Sequence, residues 1–328
     1  MKFFFRFLVL ICVVVIGMYF WATSSALDPL EKPNSIYKIS TGAEEQGDTL
    51  SIMTFNIGYL SGMTNNKSVE RTSSLFDTHA AALLQCLKSS AVDILAMQEI
   101  DFASSRSYDV DQLDLIARQG GFNYAAKALN WDKRYVPFPY WPFKHHFGKV
   151  QSGQAIVSKF KIHNHTIDTL PKPLDQPFYY NDFYLDRLVQ TSVIYVNKKP
   201  LTVMNVHLEA FSRKTRSIQL RYVFEKFRTS AITSPTILLG DFNEPFFPQE
   251  HSYMSPFYNS SIIGKAISPQ ELQVYPEKHF TYSAETPKAK IDYIFYSKAH
   301  IEMVSAETLR TTQLLSDHLP VLMKFRLK

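Results

Sequence analysis

Eight short apolar runs of strand length punctuate residues 50 to 325, and only three helix-like patterns lie between them. The runs are LSIMTFNIGYL from 50, VDILAMQEI from 92, SGQAIVSKF from 152, LVQTSVIYV from 188, LTVMNVHLEA from 201, PTILLGDFN from 235, KIDYIFYS from 290 and LPVLMKF from 319. SSLFDTHAAALLQCLKSS (73–90) reads as an amphipathic helix in which Leu75, Ala82, Leu83 and Leu87 share one side. YDVDQLDLIARQGG (108–121) is a second helix, and its paired glycines supply a C-cap. RSIQLRYVFEKFRTS (216–230) is a third, with a cationic face. Many strands and few helices predict an α/β fold of two sheets packed face to face with helices outside. With 45% hydrophobic and 20% charged residues the chain can fill such a core, and disorder is not the default reading.

Ahead of this domain the N-terminus, MKFFFRFLVLICVVVIGMYFWATSSA, places two early cations before an apolar run from Phe7 to about Ala22. That pattern fits a signal peptide or an uncleaved signal anchor over residues 1–26. Ser24 and Ala26 offer a small-x-small cleavage pattern, while Tyr19 and Trp21 equally suit a membrane-interface belt. The early cations keep the short N-terminal end cytoplasmic, so the rest is expected outside: anchored by the helix, or secreted after cleavage. Residues 27–48, polar and with two prolines, read as a linker. Cys12 and Cys86 are the two cysteines; no disulfide framework follows from them, and Cys86 reads as a small buried hydrophobe. The formal charge is +5, of which Lys2 and Arg6 supply two; that is too mild to imply nucleic-acid binding by itself. NWDKRYVPFPYWPFKHHFG (130–148) is crowded with aromatics and prolines and cannot form one regular element. It is either a substrate or surface feature or a loop that packs its rings on the domain's flank.

Polar groups recur where the apolar runs finish. Asn56 closes IMTFN, Glu99 closes ILAMQE, His207 closes LTVMNVH, and Asp241 and Asn243 follow TILLG. Asp292 is embedded in KIDYIF, and Asp317 and His318 precede LPVL. Each alone has an ordinary explanation as a turn residue, a cap or a satisfied core histidine. Together they are hard to explain that way, because a buried carboxylate costs several kcal/mol unless it is paired or bound to a cation. Carboxylate and amide oxygens suit Mg²⁺, Mn²⁺ or Ca²⁺, and neither a thiolate cluster nor an HExxH motif is present for zinc. A hard cation near two histidines and an acid–amide pair fits hydrolysis of a phosphate ester.

TFNIGYL, MQEID, SGQAIVS, NVHLEA, GDFNEP, IDYIF and SDHLP occur in the order typical of the endonuclease/exonuclease/phosphatase superfamily, which the chain resembles from residue 51 to about 326. The resemblance implies a four-layer sandwich of two packed, mostly antiparallel sheets flanked by helices, with residues 49–328 as the catalytic domain. It implies Asn56, Glu99 and Asp317 at the metal, with Glu99 the direct ligand. It further implies that Asp241 contacts the attacking water, Asn243 holds water and phosphate, and His318, oriented by Asp292, contacts the scissile phosphate. His207 matches a second histidine of the deoxyribonuclease and sphingomyelinase branches and tilts away from abasic-site repair. Arg187 in LDRLVQ resembles a cation near the phosphate, and Ser158 reads as structural. The general base stays open between Asp241 and a His207–His318 pair. The pair would need separated pKa values to divide the roles.

The catalytic set does not choose the substrate. The N-terminal segment, His207 and the aromatic loop favour a phosphodiesterase acting on a membrane-proximal or lipid head-group ester. The alternative is a secreted or tethered nuclease whose Lys133, Arg134, Lys144 and Lys149 meet a nucleic-acid backbone. A catalytically silent, membrane-displayed binding domain is the third reading, which the intact set of polar positions opposes. No obligate protein partner is implied.

Overall fold

A computed structural model describes residues 1–28, 33–42, 47–246, 252–310 and 314–328. One sheet runs in the order β1 (Asn34–Lys38), β4 (Tyr124–Val136), β5 (Gly148–Ser158), β3 (Ile94–Asp101), β2 (Leu50–Asn56), β13 (Val321–Leu327), β12 (Ile301–Thr308). The other runs β10 (Ile263–Lys265), β11 (Asp292–Ser297), β9 (Thr236–Asp241), β8 (Lys199–His207), β7 (Arg187–Val196), β6 (Lys161–Leu170). Among these pairings only β2–β3 and β8–β9 are parallel. The five main helices are α1 (Lys2–Thr23), α2 (Ser73–Ser89), α3 (Gln112–Gln119), α4 (Phe178–Phe183) and α5 (Arg213–Thr233).

Alternation along each strand sorts the apolar residues into layers. Ile52, Ile94 and Ala96 of the first sheet meet Ile194, Val203, Ile237 and Ile294 of the second in the core between them. The opposite face of the first sheet, with Met53, Phe55, Leu95 and Met97, is covered by Phe76, Leu83 and Leu87 of α2 and Leu113 and Ile116 of α3. The outer face of the second, with Val206, Leu238 and Phe295, is covered by Leu220, Val223 and Phe227 of α5. This is the four-layer sandwich expected. Strands buried on both faces, such as β2, β9 and β11, are the ones that read as unbroken apolar runs.

Several local expectations shift. The buried stripe of α2 is Phe76, Ala80, Leu83 and Leu87, with Leu75 and Ala82 only half-buried beside it, as is Cys86. α3 is capped at its start by Asp111, whose side chain accepts from Asp114 N at 3.0 Å, and at its end Gly121 takes the left-handed conformation (φ +75°). On α5, Arg216 leaves the cationic face and pairs inward with Glu244 at 2.8 Å. Residues 130–136 continue β4, so only the rest of the aromatic segment is loop. Within 27–48, residues 34–38 pair with β4 as an edge strand, while 29–32 and 43–46 lie outside the described residues.

Buried amides lock the two sheets together beneath the ends that carry the polar groups. Gln98 of β3 donates to Asn205 Oδ1 of β8 at 2.6 Å, and Asn205 donates to Met97 O and to Gln190 Oε1, both at 3.0 Å. Gln154 of β5 donates to Asn205 O at 3.0 Å. Bonds this deep are costly to leave unmade, so they fix how the sheets face each other.

Candidate active site

Register brings the polar strand ends together. His207 lies opposite Asp241 in the parallel β8–β9 pair, and Asp292 lies opposite Asp241 in the antiparallel β9–β11 pair. Three chemistry-bearing residues therefore stand side by side across adjacent strands of one sheet. From the other sheet, Asn56 ends β2 opposite Gln98 of β3, and Glu99 follows on a bulge between Gln98 and Ile100 with φ +51°. A bulge frees a residue from the ladder and re-aims its side chain. Asn243 also takes a left-handed φ of +51°. Such conformations cost energy and persist where surrounding structure enforces them.

Gly240 explains its place in GDFN. Its φ is +140°, and a Cβ there would stand 2.0 Å from Val206 O on the neighbouring strand. Only glycine lets β9 approach β8 closely enough to set Asp241 beside His207.

Asp241 Oδ2 is the hub of the site. Asn56 Nδ2 donates to it at 3.0 Å from across the sheets, and Asn243 Nδ2 lies at 3.4 Å. His207 Nε2 and His318 Nε2 lie 3.6 and 3.8 Å away. Asn243 N donates to the other oxygen, Oδ1, at 2.9 Å. His318 is held from behind by Asp292, Nδ1 to Oδ2 at 3.0 Å, while Asp292 Oδ1 has no hydrogen-bond partner in the structure. Ser316 ties this last segment to β2: its hydroxyl donates to Asn56 O at 2.7 Å and accepts from His318 N at 3.1 Å.

Glu99 lies on the more open side. Asn56 Nδ2 reaches its Oε1 at 3.3 Å, and His207 Nε2 lies 3.8 Å from the same oxygen. Asn65, which the sequence reading missed, donates through one nitrogen to Glu99 Oε2 at 2.9 Å and Asp317 Oδ1 at 3.3 Å. Nothing in TNNK announces it, because it sits in a loop with no periodicity. Glu209 was also passed over, although it lies in NVHLEA. It accepts from the Tyr184 hydroxyl at 3.1 Å, and Tyr184 in turn accepts from Arg187 Nη2 at 2.8 Å. Arg187 is buried with its Nε 3.8 Å from Glu209 Oε2, and among the described residues its Nε and Nη1 make no hydrogen bond. Ser158 is structural: its hydroxyl accepts from Phe160 N at 3.0 Å.

The electrostatics divide the two histidines. Burial pushes His207 well below the usual imidazole range, and the nearby charges of Arg187 and His318 push it the same way. Burial acts likewise on His318, but Asp292, Asp241 and Asp317 outweigh it and hold the ring charged. Burial, with a smaller contribution from Asp292, raises Asp241 to about 7 against the opposing pull of His318 and Asn56. Glu99 is raised by burial and then by Asp317. A buried carboxylate crowded by a second one is a place where a cation relieves repulsion.

Two donor sets offer themselves to a metal. Asp241, Asp292 and His318 each present a ligand atom within 4.8 Å of one another. A charged imidazole has no lone pair to give, and His318 is already engaged with Asp292, so this set fits poorly. Glu99 and Asp317 offer carboxylate oxygens, the donor chemistry of Mg²⁺, Mn²⁺ or Ca²⁺, while Asn56 turns its nitrogen toward Glu99 and its oxygen accepts from Gly58 N at 3.0 Å, so it stands beside this set.

The model of the endonuclease/exonuclease/phosphatase family matches residues 53–318. Among solved structures, an endonuclease/exonuclease/phosphatase from Beutenbergia cavernae aligns with a TM-score of 0.60 at 20% identity, over 86% of this chain and 72% of that one. A mannosyl-6-phosphatase from Bacteroides thetaiotaomicron aligns with a TM-score of 0.58 at 18% identity, over 85% and 99%. D. rerio TDP2 complexed with a single-strand DNA product aligns with a TM-score of 0.59 at 15% identity, over 85% and 100%. These likenesses are to the fold. No curated protein matches the chain.

Proposed function

Since the chain belongs to the endonuclease/exonuclease/phosphatase family and is a hydrolase of phosphoric esters, we propose that it cleaves a phosphodiester by metal-assisted attack of water, on a membrane-proximal or lipid head-group substrate. The observation that carries the reaction is the surround of Asp241 Oδ2, a carboxylate oxygen faced by nitrogens of Asn56, Asn243, His207 and His318. Asp241 takes the proton of the attacking water, oriented by Asn56 and by Asn243 N. Neutral His207 flanks the same water. His318, kept charged by Asp292, faces the phosphoryl oxygens and supplies a proton to the leaving group. Glu99 and Asp317 would hold the divalent cation, with Asn56 steadying Glu99, and the ion would add positive charge where the transition state gathers negative charge. Arg187 would bring a buried positive charge to the phosphate side, with Nη1 as its unbonded nitrogen.

The membrane-proximal substrate is favoured over nucleic acid by the fate of the cations that β4 and β5 carry on either side of the aromatic loop. Lys133 donates to Thr23 O, Arg134 to Ser25 O, and Lys149 pairs with Asp109 at 2.9 Å. Three of the four cations that a nucleic-acid backbone would need are engaged within the chain.

The test is hydrolysis of an aryl phosphodiester and nicking of a plasmid, each with Mg²⁺ and with chelator. Metal-dependent aryl ester hydrolysis without nicking is the expected result. Nicking lost on chelation would instead assign a nuclease. Asp241→Ala and His318→Ala should each reduce turnover by roughly 10²–10⁴-fold, the usual worth of a proton-transfer group. Near wild-type rates in a folded variant would remove that residue from the mechanism.

A further inference from the structure

α1 is long and apolar enough to cross a membrane. At about 1.5 Å per residue its 22 residues reach about 33 Å, close to the thickness of a bilayer's hydrocarbon core. Its C-terminal end is built into the domain. The Tyr19 ring stands edge-on to Phe178 and Phe183 at 6.3 and 5.8 Å, and its hydroxyl donates to Asp182. Trp21 stacks on Tyr135 at 6.3 Å, and Ala22 is buried. The next residues are stitched to β4. Thr23 O accepts from Lys133 Nζ, Ser24 O from Arg134 N and Ser25 O from Arg134 Nε, each at 3.0 Å. The Ser25 hydroxyl donates to Asp132, and Ala26 N donates to the same carboxylate at 2.8 Å. Ser24 and Ala26, the residues of the small-x-small pattern, are thus occupied in holding helix to domain.

Beside this seam stands an aromatic surface. Tyr140, Trp141 and Phe143 are 72, 71 and 67% exposed, and Phe178 and Tyr179 are 72 and 56% exposed. Ring contacts connect them to the helix end: Trp21 to Tyr135, Tyr135 to His146 at 5.6 Å, His146 to Phe143 at 5.3 Å and Phe143 to Trp141 at 5.0 Å. Both aromatic segments also border the site. Ser68, three residues beyond Asn65, donates to Trp141 O at 2.6 Å, and Tyr184, directly after α4, joins Arg187 to Glu209.

We propose that α1 is retained as part of the folded enzyme, and that Tyr140–Phe143 and Phe178–Tyr179 form with its docked end one seat in the interface of a phospholipid bilayer. The observation that selects a bilayer as occupant is continuity. Tyr19 and Trp21 mark where a spanning helix leaves the hydrocarbon, and the exposed rings are joined to those two residues by an unbroken series of ring contacts. The active site is then held against the leaflet from which α1 emerges, and its substrate is a phosphodiester carried by that leaflet. This last step rests on the phosphoesterase reading above; the seat does not.

The three tryptophans are Trp21, Trp131 and Trp141, which makes the seat measurable without an activity. The full chain is reconstituted in phosphatidylcholine vesicles, with and without bromine on the acyl carbons nearest the head group. Trp21→Phe should lose emission in the brominated vesicles, and Trp21→Phe/Trp141→Phe should lose much less. Equal quenching of the two chains would overturn the seat. Trp141 unquenched by bromine yet shielded from aqueous acrylamide would overturn it too, assigning a protein neighbour. The same vesicles, with an aryl phosphodiester added outside, separate the remaining claims. No hydrolysis of either ester, whatever the quenching, counts against the reaction. Hydrolysis of the aryl ester with intact phosphatidylcholine head groups counts against the lipid substrate alone.

Discussion

At the scale of single residues, the site works by contrast: two histidines that face the same Asp241 oxygen are driven to different protonation states by what surrounds each. Glu99 carries the metal assignment, and Asn65 supports it. Glu99→Gln keeps the shape but removes the negative charge, so the Mg²⁺ concentration for half-maximal rate should rise; an unchanged metal dependence would take Glu99 off the ligand set. A histidine away from the site sets a pH limit. Burial pushes His165 from 6.5 down to about 4, and Gln190 Nε2 faces its Nε2 at 3.2 Å as a donor to an unprotonated nitrogen. The folded state binds this proton more weakly than the unfolded chain does. The stability that follows is fully present above about pH 6.5 and is lost as pH falls from there through about 4. His165→Gln should flatten the fall in melting temperature across that window, as read by circular dichroism. All nine site residues singled out in the sequence are gathered at or beside one strand-end cluster. Polar groups closing apolar runs are a strong signal. Asn65 has no such signal, because its role exists only once a loop folds over Glu99.

At the scale of elements, four of the five strands hidden from the sequence are edges; the fifth, β4, is interior, and its second half lies in the segment crowded with aromatics and prolines. β1, β6 and β12 are edge strands, and their burial is partial and irregular, so no sustained apolar run or clean alternation marks them. β10, only three residues long, is the remaining edge. The other interior strands were legible because both faces are covered. The closeness of β8 and β9 is the feature most exposed to a single change. Gly240→Ala would press a methyl into Val206 O, and such overpacking costs about 1–3 kcal/mol or more, with strain at φ +140° added. Urea denaturation should show at least that loss. Activity should fall further than stability explains, since Asp241 and His207 lose their register.

At the scale of the whole molecule, neither sheet holds a complete site. One brings Asn56 and Glu99, the other His207, Asp241 and Asp292, and Asp317 and His318 arrive on the segment leading into β13. That strand closes on β2 through pairs such as Val321 with Thr54 and Phe325 with Leu50. Contacts so far apart along the chain are entropically expensive to form early. The ordering of folding events follows from this closure. Helices and neighbouring hairpins can assemble while β2 still lacks its antiparallel neighbour, and every such intermediate lacks the charged histidine. In refolding from denaturant, recovery of far-ultraviolet ellipticity should therefore run ahead of recovered turnover. A half-folded chain is then chemically silent: the hydrolase becomes able to act on any ester only when its last strand has closed.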